Sequence, residues 1–401
     1  MINRRNLLRA GAAFTLVWQT LPAAGLATSM DPRFVLLILR GGVDGLTAVP
    51  AYGDPSYRKA RGDLALARPG VDNGVRDLDG FFGLHPSFSV LHSLYQQNEL
   101  AVVHAVAPPY RDRSHFAGQD VLETGIPEPA GSSDGWLYRA LGALPGSVVP
   151  QEYAMAVGGA VPRVLRGAQT VGAWSPDRLP EPDDDTMARV LALYQHDATL
   201  GPKLATMLKT ESMMGSAAAS GNARSLTVMA KAAAQFLRHP SGPRMAVIES
   251  GGWDTHANQA GQLANRFATL DGVLGEFKDE LGDVWQHTVV VMVTEFGRTV
   301  AMNGTRGSDH GVAGMAFAAG GCINGGRVIA NWPGLSSSAL YQGRDLKPTT
   351  DVRSLFKTVL VGHMGADENA VDEVVFPDSR VPMLEDLKFS GSTAHLPRSA
   401  V

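Results

Sequence analysis

Four short apolar runs set the pattern of this chain. Arg33 to Leu39, Leu100 to Val106, Met245 to Glu249 and Thr288 to Val293 are nearly continuous in Val, Leu, Ile, Met and Ala, which predicts strands covered on both faces. Three of them run straight into turn-forming residues: Arg40-Gly41-Gly42-Val43-Asp44-Gly45 after the first, Pro108-Pro109 after the second, and Ser250-Gly251-Gly252 after the third. Between the third and fourth runs, Leu263, Phe267, Leu270, Leu274, Phe277 and Leu281 step by four and three, the spacing of an amphipathic helix. Strand, helix and strand in that compass form a βαβ unit, and the crossover makes the two strands parallel. Their C-terminal ends then share one edge of a sheet, where α/β proteins place their sites.

The remaining segments fill in the frame. Arg113-Ser114-His115-Phe116 opens a helix that stops near Gly125. Pro180 to Asp185 reads as an exposed acidic loop, and the Ala/Met/Leu-rich stretch from about 185 to 238 as two or three helices inserted in the domain. The tail after Phe376 is rich in Pro and Ser and reads as a surface strap. At the other end, Asn3-Arg4-Arg5-Asn6-Leu7-Leu8-Arg9, an apolar stretch from Ala10 to Trp18 and small residues up to Ala27 resemble a twin-arginine export signal. Residues 1–27 are therefore set aside, and 28–401 are expected to form one domain. The apolar stretch is too short to span a bilayer comfortably and no later segment qualifies, so stable membrane insertion is not expected.

Composition narrows the function. Of 401 residues, 44% are apolar and only 18% charged, enough for one large core. A formal net charge of -4, with no dense basic block beyond the first residues, argues against nucleic acid as a partner. Cys322 is the sole cysteine, which rules out an intrachain disulfide and a thiolate metal cluster.

Chemistry concentrates after the strands. Trp253-Asp254-Thr255-His256 follows the third, Thr294-Glu295-Phe296-Gly297-Arg298 follows the fourth, and Gly307-Ser308-Asp309-His310-Gly311 lies just beyond. Carboxylates and imidazoles are the donors that a hard or borderline divalent ion selects. Asp254 and His256 reach one ion if their loop is extended; alternatively Asp254 or Thr255 caps the helix that follows. Asp309 and His310 sit in a glycine-bounded loop, as ligands or as a turn. Glu295 stands at the mouth of the sheet, where it either joins a site or pairs with Arg298. Asp44 follows the first strand as a ligand or a turn residue. Ser114 is either the cap of its helix or, with His115, a group that attacks or orients an ester at the helix N-terminus, with Arg111 and Arg113 near its oxygens. His85, His92, His104 and His363 lack a carboxylate at ligand spacing and read as structural.

Taken in order, Leu39-Arg40-Gly41-Gly42-Val43-Asp44-Gly45-Leu46, Arg113-Ser114-His115-Phe116-Ala117-Gly118-Gln119-Asp120 and the three later motifs resemble domain-of-unknown-function family 1501, over nearly the whole chain after the signal. That family is similar to the alkaline phosphatase and sulfatase superfamily. The resemblance implies an α/β three-layer sandwich with a central, mostly parallel sheet and a metal site at the strand ends. It implies an acidic residue after the first strand at Asp44, a nucleophile at Ser114 or His115 opening a helix that ends in Thr124-Gly125, ligands at Asp254 and His256, a strand-end pair at Glu295-Phe296 and a final histidine at His310. Phe296 stands where that superfamily has a second histidine.

The expectation is an exported, metal-dependent hydrolase of phosphate or sulfate esters, periplasmic or secreted, carried by the twin-arginine machinery and acting on a small anionic or envelope-derived substrate. The ion (Zn, Mg, Mn or Ca) is held among Asp44, Asp254, His256, Glu295, Asp309 and His310, with Ser114 or His115 reacting and Arg113 or Arg298 steadying charge. The alternative is a non-catalytic exported binding or assembly protein on the same fold.

Overall fold

The computed structural model describes residues 31–176, 184–194, 197, 200–214, 225–377 and 379–390. The twin-arginine segment 1–27 and the acidic loop as far as residue 183 lie outside these residues. The four apolar runs become β1 (Arg33–Leu39), β2 (Leu100–Ala107), β5 (Met245–Ser250) and β6 (Thr288–Val293). They join β3 (Ala154–Val157), β4 (Gly172–Trp174), β7 (Gly314–Ala319), β8 (Arg327–Ile329) and β9 (Thr350–Asp351) in one nine-stranded sheet. Its order is β8-β2-β7-β6-β1-β5-β3-β4, with β9 continuing the edge beside β2.

Eight of these strands run the same way. β7 alone is antiparallel to both neighbours, pairing Phe317 with Val102 on one side and with Met292 on the other. β1 lies between β5 and β6, matching Leu37 to Ile248 and to Met292, so the loops that leave these three strands emerge side by side.

Alternation along β1 shows why both faces are dry. Val35, Leu37 and Leu39 pack into one core with Phe267, Leu270 and Phe277 of the long helix Gln259–Leu281, whereas Phe34, Leu36 and Ile38 pack into a second core with Leu355, Phe356 and Val359 of helix Val352–Gly362. Helices thus cover the sheet on both sides, the arrangement of a three-layer α/β sandwich. Three further helices, Asp184–Tyr194, Leu200–Met214 and Leu226–Arg238, occupy the stretch between β4 and β5.

Two glycines fix how closely the loops approach. Gly41 (φ +127°) and Gly42 (φ +66°) follow β1 in backbone conformations that side chains rarely adopt. A Cβ at Gly41 would lie 2.5 Å from the Asp254 backbone nitrogen, and one at Gly42 would lie 2.6 Å from the Phe296 ring. The absence of side chains lets the loops after β1, β5 and β6 touch.

Candidate metal centre

Four side chains converge where those loops meet the N-terminus of α1 (His115–Thr124). Asp254 is the hub. Its Oδ1 lies 2.9 Å from His256 Nε2 and 3.1 Å from His310 Nε2, and its Oδ2 lies 3.4 Å from His115 Nε2. His256 Nε2 and His310 Nε2 are 3.1 Å apart, and ligand atoms of His115, Asp254 and His310 all fall within 4.8 Å of one another.

What the outer ring nitrogens do decides what the inner ones present. His310 Nδ1 donates to the Arg113 carbonyl at 3.0 Å, and a carbonyl can only accept. His115 Nδ1 donates to Glu295 Oε1 at 2.7 Å. His256 Nδ1 faces Asp309 Oδ1 at 3.3 Å. Each neutral ring assigned this way turns an unprotonated Nε2 toward Asp254. The His115 Nε2 is buried and has no hydrogen-bond partner. In that assignment three imidazole lone pairs and a carboxylate facing one another repel unless a cation lies among them, and an outer N–H on a carboxylate or carbonyl is how metal-binding histidines are held.

Titration of the rings points the same way for one of them. Burial, and then the charge of His115, push His310 below the usual histidine range, so it keeps its lone pair at neutral pH. The hydrogen bond to Glu295 pushes His115 up, so a proton competes with a metal there.

The layer behind Asp254 is a buried polar relay. Arg298 donates from Nη1 to Asp254 Oδ1 at 2.5 Å, from Nη2 to the Ser308 carbonyl at 2.5 Å and from Nε to Ser308 Oγ at 3.2 Å. Ser308 Oγ in turn donates to Gln259 Oε1 at 2.5 Å, and Gln259 Nε2 donates to Asp44 Oδ2 at 2.6 Å. Burial alone would raise the Asp254 carboxyl, but Arg298 and the flanking histidines outweigh it and hold it below the ordinary range. Arg298 therefore pairs with Asp254, not with Glu295.

Several expected site residues take up other posts. Asp44 is buried under five donors: Leu46 and Thr47 N–H groups on Oδ1, and Thr47 Oγ1, Arg61 Nη2 and Gln259 Nε2 on Oδ2. It caps the short helix Gly45–Ala48 and neutralises Arg61, so it does not join the cluster as a ligand. Glu295 stands one layer back, with Oε1 accepting from His115, Gln119 Nε2 and the Gly41 N–H, and Oε2 accepting from Thr294 Oγ1. The Arg113 guanidinium is spent on Asp345 and Gln342 and is not turned to the cluster. Arg113 itself sits at φ +64°, a costly conformation for a side-chain-bearing residue that delivers its carbonyl to His310. Arg111 donates to the carbonyls of Pro108 and Tyr110. Asp254 and Thr255 do not cap the long helix; Asn258 occupies the N-cap position.

Ser114 is exposed at the N-cap of α1, and its hydroxyl makes no capping bond. Phe296 is buried beneath the site with its ring 4.8 Å from that of His115 and 5.0 Å from that of His310. Gln119, Gln259, Arg61 and Asn303 complete the supports. Gln119 shows in the sequence as the residue one turn after His115; for the other three no local pattern signals the contact.

Asp44→Ala leaves Arg61 buried without its counter-ion and should destabilise the protein by about 3–5 kcal/mol in urea denaturation. Its metal affinity, measured under folded conditions, should stay within a few-fold of wild type; a large loss of metal without loss of stability would return Asp44 to the ligand set.

A mixed, mostly parallel sheet with helices on both sides and an acid-histidine cluster at its strand ends is the class to which the structure belongs. Residues 86–375 match the family described as protein of unknown function, DUF1501, and the chain belongs to that family. No curated protein matches the chain. Among solved structures it is similar to Ps i-CgsB in complex with k-i-k-neocarrahexaose, at 11% identity over 84% of this chain and 73% of that one, with TM-score 0.41. It is similar also to the zinc complex of the C-terminal periplasmic domain of EcEptC from Escherichia coli (11% identity, 92% and 94% covered, TM-score 0.40) and to the phosphonate monoester hydrolase of Agrobacterium radiobacter (12%, 84% and 74%, 0.35). At those values the likenesses carry no activity, metal or substrate over to this chain.

Proposed function

We propose that the protein is an exported, metal-dependent hydrolase of phosphate or sulfate esters. The observation that carries this reading is the convergence of three imidazole Nε2 atoms on Asp254, each ring held from behind by an acceptor. A donor set of three nitrogens and one carboxylate favours a borderline ion, zinc above magnesium or calcium. Bound there, such an ion supplies Lewis-acid polarisation of an ester oxygen and a water of lowered pKa.

The chain's own residues would do the rest. Arg298 and Glu295 hold Asp254 and His115 in place. The Ser114 hydroxyl, uncommitted and next to His115 in sequence, is the available side-chain nucleophile, and it leaves the first-turn N–H groups of α1 uncapped for an ester's anionic oxygens. Twin-arginine export rests on the Arg4-Arg5 segment, and among the described residues no helix is long and apolar enough to cross a membrane.

The test combines metal content with turnover. Protein purified without chelator, from the periplasmic fraction of a producing strain, should hold stoichiometric metal and hydrolyse members of a phosphate and sulfate ester panel. Both properties should fall at least ~10²-fold in His256→Ala, and turnover alone in Ser114→Ala. Arg4→Lys with Arg5→Lys should leave the protein in the cytoplasm. A protein that binds no metal overturns the reading. Stoichiometric metal with no turnover would instead favour the binding-module alternative, in keeping with Phe296 where a second histidine would stand and with Arg113 and Arg298 both committed to structural partners.

A further inference from the structure

A cavity of about 550 Å³ opens beside the cluster, within the size range of small-molecule sites. It shares a wall with the metal centre: Asn303 and Asp309 line it, Asn303 Nδ2 donates to Asp309 Oδ1 at 3.1 Å, and that same oxygen faces His256. The other walls come from the short helix Tyr57–Arg61 and the segment from Leu335 to Arg344, so three distant parts of the chain build it.

Its lining is sorted by depth. Val300 and Leu335 are buried, and Ala60, Met302 and Leu340 half-buried, an apolar patch set among Ser56, Thr299, Asn303, Ser336 and Ser337. Lys59 and Arg344 are the lining cations, against one lining carboxylate, Asp309; both are exposed, and Arg344 Nη1 also lies 3.5 Å from Asp345 Oδ1. Arg344 donates from Nη2 to the His310 carbonyl at 2.9 Å, which ties the cavity's charged side to the loop that carries a cluster histidine.

We infer that this cavity binds an organic anion with an apolar body, an alkyl or aryl carboxylate or phosphate whose charge meets Lys59 and Arg344. The apolar patch rewards burial of hydrocarbon, which a polyhydroxylated anion does not offer. Resting on the hydrolase reading, the occupant is the leaving-group portion of the substrate: its ester end lies at the cluster across Asp309, and its second charge lies against the two cations.

Binding is separable from turnover, so the test uses chelated, full-length protein and calorimetric titration with three probes: 3-phenylpropionate, its neutral amide and gluconate. The expected result is 3-phenylpropionate binding at least ~10-fold more tightly than either of the others. Lys59→Glu should weaken it ~10-fold, Leu340→Trp, which fills the interior, should abolish it, and His256→Ala should leave it unchanged. Equal affinity for the acid and its amide, preference for gluconate, indifference to Lys59→Glu, or no binding of any probe overturns the inference. If 3-phenylpropionate binds as expected but no ester is hydrolysed, the cavity assignment stands and the hydrolase reading falls.

Discussion

Asp254→Asn should lower divalent-metal affinity by at least ~10²-fold while the protein stays folded. Asp254 is the one residue that all three cluster histidines approach, at 2.9, 3.1 and 3.4 Å. Asparagine keeps the shape and an acceptor oxygen for Arg298 Nη1, so the buried guanidinium retains a partner, but the negative charge that balances the ion is gone. Glu295→Gln provides the graded comparison. It still accepts from His115 Nδ1 but no longer as an anion, and should cost about 10–100-fold, the usual effect of a partner one layer removed from the ion. Equilibrium dialysis with zinc and manganese, followed by elemental analysis, measures both. Retention of stoichiometric, tightly held metal by Asp254→Asn would remove the basis for the centre; a Glu295→Gln loss equal to the Asp254→Asn loss would place Glu295 among the ligands themselves.

The contrast between these two carboxylates shows what sequence could and could not settle. β1, β5 and β6 are plain in the sequence because a strand covered on both faces must be apolar at every position, and the helix between β5 and β6 is plain from its step of four and three. Once those were placed, parallel topology brought Asp254, His256 and Glu295 to one edge. β7 is different: Gly-Met-Ala-Phe-Ala-Ala is short, rich in small residues and without β-branching, so nothing local marks it, and its antiparallel place between β2 and β6 depends on pairing with residues far away in sequence.

The same limit governs the site. Which residue types gather there follows from the loops; which of them face a ligand follows from partners that no spacing reveals. Asp44 and Asp254 both follow central strands in glycine-rich turns. Arg61, 17 positions on, buries its charge against Asp44, while Arg298 reaches Asp254 across 44 positions and leaves part of it exposed. Arg298 could be anticipated as an ion-pair donor, but its nearer carboxylate, Glu295, is taken by His115, Gln119 and the Gly41 N–H. Phe296 gains a physical role as well: its ring packs against those of His115 and His310 and supports them.

Acidification should unfold the protein steeply, through histidines that lie outside the cluster. Burial pushes His85, His104 and His363 each down to about 4, from an unfolded value of about 6.5. The contacts agree: His85 Nδ1 accepts from the Ser87 N–H and His104 Nδ1 from the Ala105 N–H, while His363 Nε2 donates to the Arg33 carbonyl and its Nδ1 lies 3.6 Å from Cys322 Sγ. For His85 and His104, protonation of Nδ1 destroys a bond to the backbone. A depressed folded-state value means that the unfolded chain binds more protons, so the stability is fully present above pH ~6.5 and is lost as pH falls toward 4. Three such groups give a slope of up to about 4 kcal/mol per pH unit and about 10 kcal/mol across the window, the size of a typical domain's whole stability. Asp44, Asp254, Glu295 and Asp309, all held below the ordinary carboxylate range, add their losses only at lower pH; within the window His310, also pushed down, adds to the slope, while His115, Glu123 and Asp345, pushed up, oppose it. Urea titrations from pH 7.5 to 4.5 should show it, and His104→Gln, whatever it does to stability at pH 7.5, should reduce the slope by up to about 1.4 kcal/mol per pH unit. A pH-independent midpoint across that range, or a slope unchanged in His104→Gln, would mean that these rings are already protonated in the native state.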